Sequence, residues 1–526
     1  MWRDRAILFA VCCLLWLPLL VERPLWHPDE PRFALLTRGM LETGEYVAPT
    51  KMGEVYSSKP LLHLWATAFF SWLLGAVDEI ALRIPSFLAG LGGVLVTHAL
   101  GAALFGARAG LLAALVLATD VRYLTQAQWS STDILLCLFM TAALACFYAG
   151  YRTRNGRWYL LMHACCALGT LTKGPVGFVL PGLVILVFLI AARDLREIAR
   201  LRLVEGAVIL ALFVGPWLAL YARRAGGGDT WTLLVTENIQ RYLHAWNNEH
   251  PWHYYLWRFP LDFLPWTIVL PAAVWYSRGR VDARDRIFLA IWFVVIFIFY
   301  SATRGKRGVY ILPIHPPAAL LVGWFWDRAD TTSWPAARRW LNGARWALGG
   351  GFAVLGAALA WQAPRLIEGL EGAERAALAV WALLTSAAGI AIILQPPKRT
   401  IALTALTVAV LSAGLAHGVA ASGQREEFTR FAAEVARSVP EEAPLATVTH
   451  AEELAFYAER APVAELRPGK LMRRWLETPG TIYMILDEKC MDDLETRPEQ
   501  PWEILAEQRV RREIYRVVVR RSPERN

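Results

Sequence analysis

Fourteen apolar runs set the terms for this chain, because a polypeptide carrying so many of them needs a bilayer to bury them in. They centre on 6–21, 60–77, 84–104, 108–119, 132–150, 158–171, 175–192, 206–222, 259–276, 285–302, 308–327, 344–361, 375–394 and 400–420. A crossing takes about 20 mostly apolar residues. A 56% hydrophobic and 19% charged composition points the same way, since soluble domains carry about a quarter charged residues. Cys12, Cys13, Cys137, Cys146, Cys165 and Cys166 lie in or beside these runs, where Cys acts as a small hydrophobe. Cys490 alone occupies the polar tail, so no disulfide can form within it. The first run follows a basic N-terminus and lacks an A-x-A cleavage site, so it reads as an uncleaved first span.

Charge assigns the sides. The loops richest in basic residues carry Arg152/Arg154/Arg157, Arg193/Arg196/Arg200/Arg202, Arg278/Arg280/Arg284/Arg286 and Arg328/Arg338/Arg339/Arg345. By the positive-inside rule all should be cytoplasmic. They share a side with Arg3 and Arg5 only if one run before residue 150 does not cross. Run 60–77 is short, starts at Lys59-Pro60, holds His63 and ends at Asp78-Glu79, and is expected to be a membrane-associated helix on the far side. The expectation is an α-helical polytopic membrane protein of about 13 transmembrane helices. Its N-terminus lies in the cytoplasm and its C-terminus outside.

The net charge of +9 divides accordingly. From residue 421 onward there are 17 Lys and Arg against 20 Asp and Glu, and before it 37 against 25. The excess sits in the membrane part without a concentrated basic arm. Nucleic-acid binding, a secreted disulfide scaffold and a disordered chain are set aside.

Residues 1–420 thus form the membrane domain. Its first outer loop, 22–83, includes 31–42, where Phe33, Leu36, Met40 and Leu41 suit an interfacial amphipathic helix. Its second outer loop, 223–258, carries Trp231, Trp246, Trp252 and Trp257, suited to headgroup depth. Residues 421–526 read as a small soluble α/β domain on the outside, with a helix over 426–438 and strands at 445–449, 481–486 and 510–519. There is no internal repeat or low-complexity tract.

Five motifs bear on chemistry, and by this topology all face the non-cytoplasmic side. Trp26-His27-Pro28-Asp29-Glu30-Pro31-Arg32 places two carboxylates and an Arg just beyond the first span. Tyr56-Ser57-Ser58-Lys59-Pro60 puts a Lys at the mouth of the non-crossing segment, and Thr172-Lys173-Gly174-Pro175 another at a tight turn. Glu237-Asn238-Ile239-Gln240-Arg241-Tyr242 lies in the second outer loop, and Thr303-Arg304-Gly305-Lys306-Arg307-Gly308-Val309-Tyr310 heads a later span. Carboxylates, Lys, Arg and Tyr converging on one membrane surface suit an anionic, phosphate-bearing ligand. Taken alone, Asp29-Glu30 is equally an ordinary polar cap opening a helix, and Tyr310 a plain interfacial aromatic. Asp120, Arg122, Gln126, Gln128 and Asp133 either extend the polar cavity or cap a short loop. His63, His98, His163 and His315 lack metal-ligand spacing and read as polar packing residues.

The Asp29-Glu30 pair after the first span resembles the first-loop signature of the GT-C superfamily of lipid-linked glycosyltransferases. The bacterial branch related to protein O-mannosyltransferases, which includes the lipid A aminoarabinose transferases, is the nearest in pattern. Lys59-Pro60-Leu61-Leu62, Thr172-Lys173-Gly174, Glu237 to Tyr242 and Tyr310-Ile311-Leu312-Pro313 carry the resemblance through the first 330 or so residues. It implies transfer of a sugar from polyprenyl (undecaprenyl) phosphate to a periplasmic lipid A, glycolipid or glycan, by a monomer in the bacterial inner membrane. In the family basic residues hold the donor phosphate, here Arg32, Lys59, Lys173 and Arg241. Asp29, with Glu30 beside it, is the catalytic carboxylate, and Tyr56, Asn238 and Tyr310 are the expected substrate contacts. A hydroxyl acceptor calls for Asp29 as general base. With a phosphate acceptor, already anionic, Asp29 instead orients the donor sugar, or binds a metal or the sugar's amine. The family's Glu-Lys-Pro reads Ser58-Lys59-Pro60 here, which removes a carboxylate that Glu54 or Glu30 could replace in space. A divalent metal is left open. The alternatives are a transporter or flippase of a lipid-linked or anionic substrate, and a membrane anchor for the C-terminal domain. Span interiors nearly free of charge favour surface chemistry over translocation.

Overall fold

The computed structural model describes residues 2–25, 29–51, 54–240, 248–331, 334–366, 372–447, 451–459, 463–465, 481–487, 502–510 and 513–520. Backbone polar groups have no water to bond in hydrocarbon, so the apolar runs fold as helices. In chain order these are α1 (Trp2–Glu22), α2 (Asp29–Thr43), α3 (Leu62–Leu74), α4 (Glu79–Phe105), α5 (Ala107–Ala118), α6 (Val121–Ala127), α7 (Thr132–Thr153), α8 (Arg157–Lys173), α9 (Val176–Ala191) and α10 (Leu203–Trp231). They continue with α11 (Tyr254–Asp262), α12 (Leu270–Ser277), α13 (Ala283–Ala302), α14 (His315–Thr331), α15 (Pro335–Leu366), α16 (Gly372–Leu394) and α17 (Thr400–Ala421). Among the described residues nine helices are long and apolar enough to cross a membrane, and the protein is a multi-pass membrane protein.

The remaining runs fold as short or broken helices. The 13 residues of α3 rise only about 20 Å against a hydrocarbon core of about 30 Å, consistent with a segment that does not cross. Helix α5 is shorter still, but α6 continues its climb beside α4. A Cβ on Gly101 would lie 2.8 Å from Gly110 Cα, Tyr123 donates to the Gly90 carbonyl at 2.9 Å, and the Ser131 N–H reaches Ser86 Oγ at 2.9 Å. The run 259–276, expected as one span, is broken into α11, a 3-10 turn Trp266–Ile268 and α12. Pro260, Pro265 and Pro271 each remove a helical donor there, which averaged hydropathy does not register.

The core of the bundle is aromatic, and its polar edges are paired. The fully buried Trp266 and Trp292 donate to Thr119 Oγ1 and the Pro313 carbonyl, both at 2.9 Å. His63 bonds Ser130 Oγ and His315 bonds Asp120, at 2.8 and 2.7 Å, as packing histidines do. In the first outer loop α2 turns Phe33, Leu36 and Met40 onto α3 and Trp217 of α10, and Thr37 and Thr67 hydroxyls meet at 2.8 Å. The expected interfacial face of this helix is therefore covered by protein, leaving none of those three side chains for lipid. Trp231, Trp252 and Trp257 are exposed, and Trp246 lies outside the described residues.

After α17 come α18 (Gln424–Ser438) and α19 (Ala451–Tyr457). The first loop contributes a small hairpin, β1 (Thr50–Lys51) and β2 (Glu54–Val55). The C-terminal sheet holds β3 (Leu445–Thr447), β4 (Val463–Glu465), β5 (Ile482–Asp487), β6 (Glu503–Val510) and β7 (Glu513–Arg520), in the order β4-β3-β5-β7-β6. Strand β3 pairs parallel with β4 and β5, while β7 pairs antiparallel with β5 and β6. Phe428, Phe431 and Val435 of α18 cover Leu445, Ile485 and Val517. The single strand expected over 510–519 is thus the second arm of a hairpin. Its first arm, β6, lies at the sheet edge with alternating polar residues and lacked a hydrophobic signature.

Candidate active site

The outer-loop motifs meet where the ends of α2, α7, α8 and the 303–310 segment come together. Asp29 opens α2, and its Oδ1 accepts from Arg32 Nη2 one turn on at 2.5 Å. Its Oδ2 accepts from Arg307 Nη2 at 3.1 Å, 278 residues away. Burial raises the Asp29 pKa, but Lys59, Arg32 and Arg307 outweigh it and hold the carboxyl well below the usual carboxylate range. With 28% of its side chain exposed, Asp29 is reachable from solvent.

Its neighbour Glu30 has a different task. Only 2% exposed, it takes Arg83 at 2.9 Å on both oxygens, Arg23 at 3.2 Å and the Ser130 N–H at 2.9 Å. Burial raises its pKa, and the two guanidiniums and the backbone bond overturn that, bringing it down to about 2. Adjacency to Asp29 suggests a shared catalytic role, but the fold turns Glu30 inward as a tether between α2 and α4, out of reach of a substrate.

Lys59 lies beside Pro60 at the head of α3, its Nζ 3.3 Å from Thr132 Oγ1. Burial lowers its pKa to about 8 against the pull of Asp29. Lys173 ends α8, where Gly174 takes φ of 82° and Pro175 starts the next turn. Its ammonium bonds Asp133 and sits 4.4 Å over the Tyr310 ring. The α8–α9 hairpin closes this tightly because Gly177 lies on Gly169, where a Cβ would come within 2.2 Å of the backbone. Gly177→Ala is therefore expected to cost about 1–3 kcal/mol by overpacking and to displace Lys173, read as a lower melting temperature together with weaker donor binding.

Tyr56 is buried, its carbonyl bonded by Tyr221 at 3.1 Å, and it lies within electrostatic reach of Arg32, Asp29 and Glu237. Of Asn238 only the backbone is described, in the π-helical turn Thr232–Gln240, and Arg241 lies outside the described residues.

Two groups not assigned from sequence complete the cluster. Nothing in the Thr303 to Tyr310 motif distinguishes Arg307 from Arg304 and Lys306, and the sequence around Asp133 allows either a cavity group or a cap. The second outer loop selects Arg307. Tyr255 donates to its carbonyl at 3.0 Å, the Lys306 N–H reaches the Asn248 carbonyl at 3.0 Å, and Glu249 bridges Gly305. Next to it, the Arg122–Asp262–Arg258 triad, with contacts of 2.5 and 3.1 Å, packs where a Gly308 Cβ would be.

Arg32, Lys59, Lys173 and Arg307 thus face Asp29 and Asp133, four cations to two carboxylates. Among the described residues no three His, Cys, Asp or Glu side chains group as a metal needs. Both proposed substitutes for the missing loop carboxylate are elsewhere, Glu54 exposed on β2 and Glu30 committed to arginines. The described residues do not fit a divalent metal.

Superposition on a crystal structure of ArnT from Cupriavidus metallidurans bound to undecaprenyl phosphate covers 97% of both chains, with a TM-score of 0.76 and 24% identity. The fold is GT-C. The archaeal oligosaccharyltransferase AglB from Archaeoglobus fulgidus shares this GT-C architecture more distantly, at a TM-score of 0.56 and 14% identity over 92% of this chain and 69% of that one. In sequence, residues 58–219 match the family described as dolichyl-phosphate-mannose-protein mannosyltransferase. An undecaprenyl phosphate-alpha-4-amino-4-deoxy-L-arabinose arabinosyl transferase of Edwardsiella ictaluri is 31% identical over 355 residues, 65% of this chain and 62% of that one. One from Sodalis glossinidius is 34% identical over 334 residues, 61% and 58%. The chain spans about three-fifths of the length of these curated relatives. It is related to them, as the first-loop and Thr172-Lys173-Gly174 motifs lead one to expect.

Proposed function

We propose that the protein is an integral-membrane glycosyltransferase that moves a sugar from undecaprenyl phosphate to lipid A or a related envelope glycolipid. It works as a monomer at the periplasmic face of the inner membrane, with its N-terminus in the cytoplasm. Residues 1–420 carry the reaction, and 421–526 form a soluble domain outside. The observation behind this reading is the convergence of Arg32, Lys59, Lys173 and Arg307 on a reachable Asp29 at one end of a GT-C bundle.

In the reaction an acceptor oxygen bonds to the anomeric carbon while the bond from that carbon to the donor phosphate oxygen breaks. Polyprenyl phosphate leaves with the electron pair, and the nearby ammonium and guanidinium groups stabilise the charge it gains. The family resemblance assigns the same role to Arg241 of the Glu237 to Tyr242 motif, and a role at the sugar to Tyr56, Asn238 and Tyr310. Asp29 is a weak base, because guanidiniums engage both its oxygens and its pKa is depressed. That favours an acceptor which arrives already anionic, a lipid A phosphate, with Asp29 orienting the donor sugar and stabilising positive charge at its anomeric carbon. Purified protein in liposomes with defined undecaprenyl phosphate sugars and lipid A, followed by mass spectrometry, tests this. Transfer to lipid A phosphate is expected; no transfer from any donor overturns it.

Lys59→Ala is expected to weaken donor binding about 10- to 100-fold, the worth of a charge-assisted hydrogen bond. Lys59 also gives the site a pH dependence. Its pKa is lowered to about 8, so it is charged below that pH and neutral above it, while the donor phosphodiester does not titrate in this range. Donor affinity should fall as pH rises through 8, roughly tenfold between pH 7 and pH 9, and Lys59→Arg should flatten the profile. A donor KM independent of pH in the parent removes Lys59 from the phosphate.

A further inference from the structure

The soluble domain touches the segment that carries Asp29. Helix α19 reaches the first outer loop through its last two residues. The Leu25 N–H donates to Tyr457 Oη at 3.3 Å, and that hydroxyl donates to Glu79 Oε1 at 2.8 Å. Glu79, 2% exposed at the start of α4, takes Arg425 Nη2 of α18 on its other oxygen at 2.8 Å. One turn further along α4, Arg83 donates to the carbonyls of Leu20, Arg23 and Pro24 at 2.7–2.9 Å and to both Glu30 oxygens. On the far side of Asp29, Arg38 of α2 donates to the Phe456 carbonyl at 2.9 Å and lies 4.4 Å over its ring. Asp29 is therefore bracketed. The Leu25 N–H before it and Arg38 after it are both held by α19, and Arg83 of α4 holds its neighbour Glu30.

We propose that Tyr457 is a positioning residue, its hydroxyl joining the soluble domain to the Leu25 peptide and to Glu79 so that Asp29 is aimed at the donor. This rests on the reading of Asp29 above. Glu79 lies one turn before Arg83, whose guanidinium holds Glu30, the residue after Asp29, so a displacement at Glu79 is carried through α4 to the start of α2. A misplacement of about 1 Å is enough to cost a reaction 10- to 100-fold. The hydroxyl separates from the ring in this role. The Tyr457 ring packs on Phe428 and Phe456 at 5.5 and 5.1 Å between centroids, and Tyr457→Phe keeps both contacts.

The test uses Tyr457→Phe in the full-length protein in liposomes. Expected are a kcat lower by about tenfold, a donor KM within twofold of the parent, since Lys59, Lys173 and Arg307 are untouched, and a melting temperature lower by only a few degrees, the worth of the lost hydroxyl bonds. Amide hydrogen exchange should speed up in peptides covering residues 20–28 and stay constant in the rest of the bundle. Unchanged kcat with unchanged exchange at 20–28 overturns the proposal. So does a kcat loss accompanied by a larger fall in melting temperature, which marks a purely structural part. A parent protein that transfers no sugar sinks the function proposed above but not this link, because the exchange measurement then decides it alone.

Discussion

Asp29→Asn should reduce sugar transfer on the order of a thousandfold while the protein inserts, folds and melts like the parent. The substitution preserves shape and removes one negative charge facing Arg32, Arg307 and Lys59. The stability cost is small because these partners are a quarter to a third exposed, at 24% for Arg32 and 33% for Arg307, and water screens such pairs. The catalytic cost is expected to be large because, in the proposed reaction, this carboxylate complements the developing positive charge of the sugar. Single-turnover rates with saturating donor measure it, and near-normal turnover would remove Asp29 from the chemistry. The same experiment on Glu30 should give a folding phenotype, because the two adjacent carboxylates face different surroundings.

Arg83→Leu should lose about 3–5 kcal/mol of stability, the usual result of breaking a buried pair from one side. The guanidinium is fully buried, binds both oxygens of Glu30 and closes three backbone carbonyls at the end of α1. Removing it leaves a buried carboxylate with Arg23 and the Ser130 N–H, and leaves those carbonyls without this donor. Arg83→Lys should fall between, since an ammonium keeps the charge but cannot reproduce the planar fork. Thermal melts in detergent decide it, and an Arg83→Leu protein that melts with the parent would show that the tether contributes nothing to stability.

Much of this was legible in sequence because hydropathy is a strong signal over twenty residues, so the expected helices are nearly all found in place. The break at 259–276 was not, since three prolines inside an apolar window do not lower its average. At the site, residue types and their convergence were readable from charges lying on the side where topology disfavours them. Which carboxylate of Asp29-Glu30 would face the substrate was not, because adjacent residues at a helix start differ only in phase. That phase is set by Arg83, 53 residues away in sequence. Arg307 shows the same limit: Asn248 and Tyr255 of the second outer loop single it out from Arg304 and Lys306, and no local pattern does.

The excess of cations around Asp29 and Asp133 has a consequence for the protein at rest. A cleft where four cations meet two carboxylates favours anions as an ion exchanger does, and a bilayer is a reservoir of anionic headgroups. On the function proposed above, the donor is expected to enter by displacing a bulk lipid phosphate. Turnover should then follow the ratio of lipid-linked sugar to competing acidic phospholipid as well as donor concentration itself.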